Sequence, residues 1–512
     1  MSSAVAARPL PSDPRARWLA QQTRQLLSRD DLGHTSRCDY DMAWVARVPD
    51  ASGKSPAFPD VANALRRLQQ ANGGIGEPRH PSGRAIATLV AALAMTDFDP
   101  EPQDDARIAA ALAFVRRTWP LACTHPEPTI AFELLAPALL REAATRGMDV
   151  AGLRESSSGI GDARLARVRD HVYEPRASVG FSLEFMGDRL DLQRAPSVLL
   201  DGGTVSGSIA ATAYYARATA DPRALGYLRG LVDRVGADTI PYGADANLWG
   251  TTWTLHHLAL GGLLASGAAP HLQRLQDALA PHGLGWSSLA PYGDGDDTAL
   301  GLCVLADHGA ADLPWGTMAQ YEQADFFITH LGETTPSTSV NAHVLTAAQR
   351  HPGALAREAT MKVRHFLRSS QHADGQWADK WHVSPLYPTS RAVAALLPCD
   401  PGAAARGLRW IESAQRTDGS WGTGDQGTAE ETAYAIHALA AAAEAGLDIA
   451  RPQIDAGCRF LASAYPSVAA GTAERLWVAK DLYCPTVVVQ SAVLAALAQG
   501  QAAGCPWEIG SV

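Results

Sequence analysis

The sequence predicts an all-α fold in which pairs of helices stack and close into an α/α toroid. Two observations carry this. Apolar residues recur at three- and four-residue spacings in segment after segment, each ended by a Gly-containing turn, while alternating strand-like runs are rare. A short signature also repeats: QHADGQW at 371–377 and QRTDGSW at 415–421 share a Gln, a Gly and a Trp in the same register, about 44 residues apart.

Taken in order, the periodic segments are 60–70, with Val61, Ala64, Leu65 and Leu68 on one face, and 128–146, with Phe132, Leu135, Leu139 and Ala143. They continue with 338–350 (Val340, Val344, Leu345, Ala348), 428–443 (Ala429, Ala433, Ile436, Ala440) and 485–499 (Val488, Val489, Ala492, Ala496). Two weaker copies of the signature are QQANGGI at 69–75, with Ile75 in place of Trp, and HGLGW at 282–286, with Trp286. Gln is expected to end one helix and reach backbone groups of the next, Gly to take a backbone geometry closed to other residues, and Trp to pack across the connection. These motifs are read as fastenings of the fold.

The 512 residues are 46% hydrophobic and 19% charged, enough apolar material for two sizeable cores and too little charge for extensive disorder. The length allows about two to four domains. The net charge of −10 argues against a nucleic-acid partner. Seven cysteines are scattered, odd in number and without a CxxC pair, which points to a reduced, cytoplasmic protein rather than a disulfide scaffold. Arg and Pro interrupt the first twenty residues where a signal peptide needs an apolar run, and no apolar stretch approaches the roughly 20 residues of an integral membrane segment.

Chemistry concentrates at 291–299, PYGDGDDTA, where Asp294, Asp296 and Asp297 precede an apolar helix opened by Thr298. By charge alone this is a helix N-terminus with a favourable dipole. Its surroundings say more. The chain resembles the class II terpene cyclases, which share a DxDD motif, and in particular the bacterial diterpene cyclases that include copalyl and halimadienyl diphosphate synthases. The resemblance rests on DYDMAWVA at 39–46, AFELLAP at 131–137, DGDDT at 294–298, NAHV at 341–344, DKWH at 379–382, DGSW at 418–421, TAEETAY at 428–434 and WVAKDLYC at 477–484, so it spans nearly the whole chain.

That resemblance implies two α/α toroids of the β and γ types: an N-terminal helix in residues 1–36 belonging to the β domain, an inserted γ domain over 37–275, and a β domain over 276–512 carrying DxDD. It implies protonation-initiated cyclisation of geranylgeranyl diphosphate to a bicyclic diterpenyl diphosphate of labdane, halimane or clerodane type. The proton donor must be a carboxylic acid kept neutral, which neighbouring carboxylates and burial achieve. The family pattern puts Asp296 in that role, with Asp294 and Asp297 tuning it and Asn341 hydrogen-bonding it. His343 reads as a satisfied core histidine or as a base. Aromatic faces stabilise a carbocation without attacking it, and Phe181, Trp253, Trp286, Trp381, Tyr387 and Tyr434 are the candidate wall, each equally suited to core packing. Lys380 and Lys480 match positions that could meet the diphosphate, or are solvated surface lysines, and Glu127 is the best match to an upstream acidic segment for Mg²⁺.

No Asp-Asp-x-x-Asp sequence occurs, so the product is expected to keep its diphosphate for a downstream class I terpene synthase or phosphatase. Where gibberellin-type copalyl diphosphate synthases hold a terminating water with His and Asn, VGFSLE at 179–184 and IPYG at 240–243 place Phe181 and Tyr242. Termination then falls to another group, Tyr242 or His343, or follows migration of the cation. The alternatives are the same chemistry on farnesyl diphosphate giving a drimane-type diphosphate, and a catalytically silent prenyl-binding module. A protein prenyltransferase subunit would need a zinc site, for which no supporting spacing occurs.

Overall fold

The computed structural model describes residues 13–155, 158–174, 176–243, 245–264, 267–290, 292–310 and 312–509. Its first helix, α1 (Pro14–Leu27), is followed by α2 (Asp39–Ala46), α3 (Pro59–Arg67), α4 (Pro81–Ala94), α5 (Asp104–Thr124), α6 (Phe132–Thr145), α7 (Ala151–Glu155), α8 (Ser158–Val168), a 3-10 segment at Ser178–Arg189, α9 (Ile209–Thr219) and α10 (Pro222–Val235). The inner members are α2, α4, α6, the 3-10 segment and α9, each packed on the next and α9 back on α2. Helices α3, α5 and α10 lie outside this ring and bury one stripe each. Every residue of α2 is buried, as an inner wall requires.

A second ring is built from α11 (Asn247–Leu260), α12 (Ala269–Ala278), α13 (Gly295–Asp307), α14 (Thr338–Ala348), α15 (Ala354–Ser370), α16 (Leu386–Leu396), α17 (Pro401–Ser413), α18 (Ala429–Glu444), α19 (Arg451–Ala469) and α20 (Thr486–Ala502). Here α11, α13, α14, α16, α18 and α20 close the inner circle, with α12, α15, α17, α19 and the N-terminal α1 outside. The apolar core of the first ring runs from Cys38 to Ile240, and that of the second takes up at Ala246. The expected boundary at residue 275 is therefore displaced: α11 packs on α13 and α20, so it and α12 belong with the second ring. Residues 1–12 and 510–512 of the expected domains lie outside the described residues.

The repeated signature does the fastening its residues suggest. Gln371 Nε2 donates to Gly375 O (2.8 Å) and Ala403 O (3.1 Å), and Gln415 Nε2 to Gly419 O and Gln453 O (2.9 Å each). Trp377 and Trp421 each donate Nε1–H to a carbonyl of the preceding helix, Leu367 O and Ile411 O, at 2.7 Å. Gly419 has φ +87°, and a Cβ there would lie 2.8 Å from the carbonyl oxygen of Ala456. The copy at 282–286 departs from this: Leu284 N takes the bond to Thr298 Oγ1, and Trp286 turns away to pack over Gly207 and Gly243. The helix expected over 128–146 starts only at Phe132, because Thr129 and Ile130 bond to Ala479 O of the second ring and Ala131 is left-handed.

A two-stranded hairpin, β1 (Trp477–Val478) and β2 (Leu482–Tyr483), carries residues 479–481 from the second ring against the first. No helix among the described residues is long and apolar enough to cross a membrane.

Candidate active site

Asp294 is the N-cap of α13: its backbone is extended and its Oδ1 accepts from Asp297 N at 2.7 Å. Thr298 Oγ1 locks the entry by donating to Asp294 O (2.5 Å) and accepting from Leu284 N (2.9 Å). So the acidic run is a helix cap and a site at once. Burial pushes the Asp294 carboxyl up, and pushes Asp297 well up with added repulsion from Asp294 and Asp296. Asp297 Oδ1 is buried without a hydrogen-bond partner. Asp296 is the most accessible of the three, 8% exposed against 2% for each neighbour. Its Oδ1 lies 2.6 Å from His343 Nδ1.

The expected pairing of Asn341 with this acid is not what the structure shows. Asn341 Oδ1 accepts from Phe327 N (2.9 Å) and its Nδ2 donates to Phe327 O (2.9 Å) and Ser337 O (2.8 Å), so it pins the 326–328 segment to α14. Residues two apart on a helix point about 200° apart, so Asn341 and His343 cannot both face α13. The fold turns His343 inward. It is likewise no fully satisfied core histidine, because its Nε2 is buried without a partner.

The predicted aromatic residues fall in two groups. Phe181 lies 5.7 Å from Trp286 and 5.8 Å from Tyr242; Tyr242 stacks on Tyr483 at 4.2 Å; and Tyr483 continues to Trp249 (6.3 Å) and Trp477 beyond it (5.2 Å). Trp477 meets Tyr387 at 4.8 Å, which meets Tyr434 at 5.0 Å, and Trp253 donates Nε1–H to Tyr387 OH at 3.1 Å. This continuous aromatic strip runs from the first ring to the mouth of the second. Burial pushes the Tyr242 phenol well up, and the nearby Asp41 adds to it, so it is a poor proton acceptor. Trp381 stands apart, hydrogen-bonded to Thr329 Oγ1 at 3.2 Å and edge-on to His330 at 6.0 Å.

The two lysines differ sharply. Lys480 is buried, with Nζ on Phe181 O (2.6 Å), Glu184 Oε1 (2.6 Å) and Ser208 Oγ (2.9 Å). All three ammonium donors are committed to the first ring, which leaves none for a diphosphate. The expected diphosphate contact is corrected to an ion pair that ties the hairpin to the first ring. Lys380 donates to Glu333 Oε2 (2.9 Å) and Thr335 O (3.1 Å), and keeps one donor.

Glu127 is half-buried near Lys380, and burial, then the Asp379 carboxylate, pushes its carboxyl up against the pull of Lys380. Asp379 is itself spent on Ser337, Thr338 and Ser339. Among the described residues no three His, Cys, Asp or Glu side chains converge as a cation site. Glu127 would offer a single carboxylate to a hydrated Mg²⁺, and the described residues form no protein cage for one.

Sequence reasoning missed Trp249, Trp477 and Tyr483 of the aromatic strip. Trp249 sits one helical turn before Trp253, a spacing that places both on one face. Trp477 and Tyr483 pair across the hairpin, a register that two-residue strands do not announce.

A six-helix ring with an acidic N-cap cluster facing an aromatic strip defines a class of cyclase, and the relatives agree. Residues 328–465 match the squalene-hopene cyclase C-terminal domain. The chain is 30% identical over 500 residues to a type B diterpene cyclase of Mycobacterium tuberculosis, covering 93% of this chain and 98% of that protein. It is 33% identical to labda-7,13-dienyl diphosphate synthase of Streptomyces clavuligerus, over 91% of this chain and 90% of that one. The structure of ent-copalyl diphosphate synthase from Streptomyces platensis superposes with a TM-score of 0.78 at 27% identity, over 96% of this chain and all 100% of that one. The chain belongs to the bacterial class II diterpene cyclases. It is an enzyme of that family.

Proposed function

We propose that the enzyme protonates geranylgeranyl diphosphate at its terminal alkene and cyclises it to a bicyclic diterpenyl diphosphate of labdane, halimane or clerodane type, with Asp296 as the acid. The observation that carries this is the asymmetry of the triplet. Asp294 is used by the helix cap, Asp297 is buried behind it, and only Asp296 is both accessible and oriented by a partner. With the proton of His343 on Nδ1, its N–H donates to Asp296 Oδ1 and leaves Oδ2 to carry the acidic proton. The aromatic strip then offers π faces along which positive charge can move while water is kept out. Lys380 and Glu127 would hold the diphosphate end, where bound Mg²⁺ neutralises phosphate charge. A diphosphate-retaining product passes to a class I terpene synthase or a phosphatase, in a cytoplasmic setting.

The test is incubation of purified protein with Mg²⁺ and either geranylgeranyl or farnesyl diphosphate, followed by dephosphorylation and mass-spectrometric identification. A bicyclic diterpene alcohol from the longer substrate supports the reading. A drimane-type product from the shorter one alone would replace it, and binding of both without turnover would favour a silent prenyl-binding module.

A further inference from the structure

The second ring carries a second carboxylate in the register of the acid. Residues 428–432, TAEET, repeat the pattern of 294–298, DGDDT. Thr428 caps α18 by accepting from Glu431 N (3.1 Å), as Asp294 caps α13 by accepting from Asp297 N. Thr432 Oγ1 accepts from Trp421 N (3.0 Å), as Thr298 Oγ1 accepts from Leu284 N. Glu430 therefore stands on α18 where Asp296 stands on α13. In the inner circle the order is α11, α13, α14, α16, α18 and α20, so α13 and α18 are on opposite sides of the ring. Glu431, the counterpart of Asp297, turns away to Thr423 and Thr428.

The hydrogen bonds of Glu430 are one-sided. Its Oε1 accepts from Trp477 Nε1 (2.6 Å), Tyr434 OH (2.9 Å) and His382 Nε2 (3.3 Å), so no room remains for a proton on that oxygen. His382 Nδ1 lies 3.1 Å from both Ser384 N and Ser384 O; when it accepts from Ser384 N, the imidazole proton sits on Nε2, toward Glu430. Oε2 is buried with no partner at all. A carboxylate oxygen without a donor, 99% buried among Tyr387, Tyr434 and Trp477, is costly unless something is to arrive there.

We infer that Glu430 is the terminating base, with Oε2 accepting the proton that ends the reaction and His382 as its positioning residue. This rests on the proposed cyclisation. Asp296 gives its proton to the terminal alkene and a C–H bond forms. Ring closure carries the cation toward the far side of the ring. Glu430 Oε2 then takes a proton from the carbon beside the cation, and the C–H electron pair becomes the new C=C bond. The product is an isomer of the substrate, and the proton returns to Asp296 through solvent after release.

The experiment compares wild type, Glu430→Gln and Glu430→Asp on geranylgeranyl diphosphate with Mg²⁺, reading product identity alongside a thermal melt for folding. In Glu430→Gln the wild-type olefin should fall at least about tenfold as a share of products, replaced by isomeric olefins or water-captured hydroxy diphosphates. Glu430→Asp, with its carboxylate drawn back, should give a mixture. A folded Glu430→Gln that makes the wild-type olefin in unchanged proportion overturns the assignment, and so does one that consumes no substrate, since the first step would then need Glu430. If Glu430→Gln does not fold, unchanged products from Glu430→Asp overturn it. If wild type itself leaves the substrate unaltered, it is the proposed cyclisation that fails.

Discussion

Lys480→Met separates two roles for one lysine. In the structure Lys480 pairs with Glu184 at 2.6 Å, and the two side chains are 1% and 0% exposed. Removing the ammonium leaves Glu184 Oε1 with only Tyr40 OH at 3.2 Å, while its Oε2 already lacks a partner. Breaking a buried pair from one side costs about 3–5 kcal/mol. Burial already pushes the Glu184 carboxyl up, so it can take a proton and limit the loss to about 3 kcal/mol at neutral pH. For a unit of this size that lowers the melting temperature by about 10 °C. Glu184→Gln in the same chain removes the stranded charge and should recover most of the loss. Thermal or urea unfolding of the single and double variants measures this, and the KM for the prenyl diphosphate is read on the double variant. A single variant within about 1 kcal/mol of wild type, or a stable double variant whose KM has risen more than tenfold, would refute the structural role and return Lys480 to the diphosphate.

Four further outcomes follow from the geometry. Asp296→Asn should fold as wild type yet form no cyclic product over a day's incubation, because Asp294 Oδ1 is spent on the cap and Asp297 is buried behind it; residual product would give the starting proton to one of them. Asn341→Ala loses three hydrogen bonds to Phe327 and Ser337 and should cost about 2–4 kcal/mol in urea unfolding, whereas a direct partner of the acid would lose activity without that instability. Gly419→Ala forces a side chain into a left-handed turn against the Ala456 backbone and should destabilise by about 2 kcal/mol or more by the same measurement. Asp481 is pushed up to about 8 by burial and then by Asp39, which is above its unfolded value, so its contribution to stability is present in acid and is lost as pH rises toward about 8. Asp481→Asn should therefore melt higher than wild type at pH 8 and lose that advantage near pH 4; equal melting at both would refute the assignment.

Much of this molecule could be read along the chain. Local periodicity gives the helices, since a side chain's face follows from its spacing. The Gln and Trp turns follow too, because both ends of each fastening lie within one repeat. Asp296 was marked by its neighbours in sequence. The failures share one cause. Asn341 and His343 are both polar and two residues apart, and which of them meets the acid depends on how α14 is rotated against α13. Lys480 looked like a phosphate ligand because nothing near it in sequence shows that Glu184 waits almost 300 residues earlier.

The domain boundary moved for the same reason: α11 is composed like any inner helix, and only its packing on α13 and α20 assigns it to the second ring. Glu430 is the mixed case. Its pattern, TAEET, stood in the sequence beside DGDDT, and its capping and spacing are local. That the two carboxylates sit on helices at opposite sides of one ring, one beside His343 and the other held by three donors on a single oxygen, is a property of closure. The helices, their fastenings and the acidic cap of α13 follow from the sequence, because these depend on neighbours along the chain. Ring closure and the docking of the hairpin decided the pairing of Asp296 with His343, of Lys480 with Glu184 and of Glu430 with Trp477 and His382, because those partners meet only once the chain has folded back on itself.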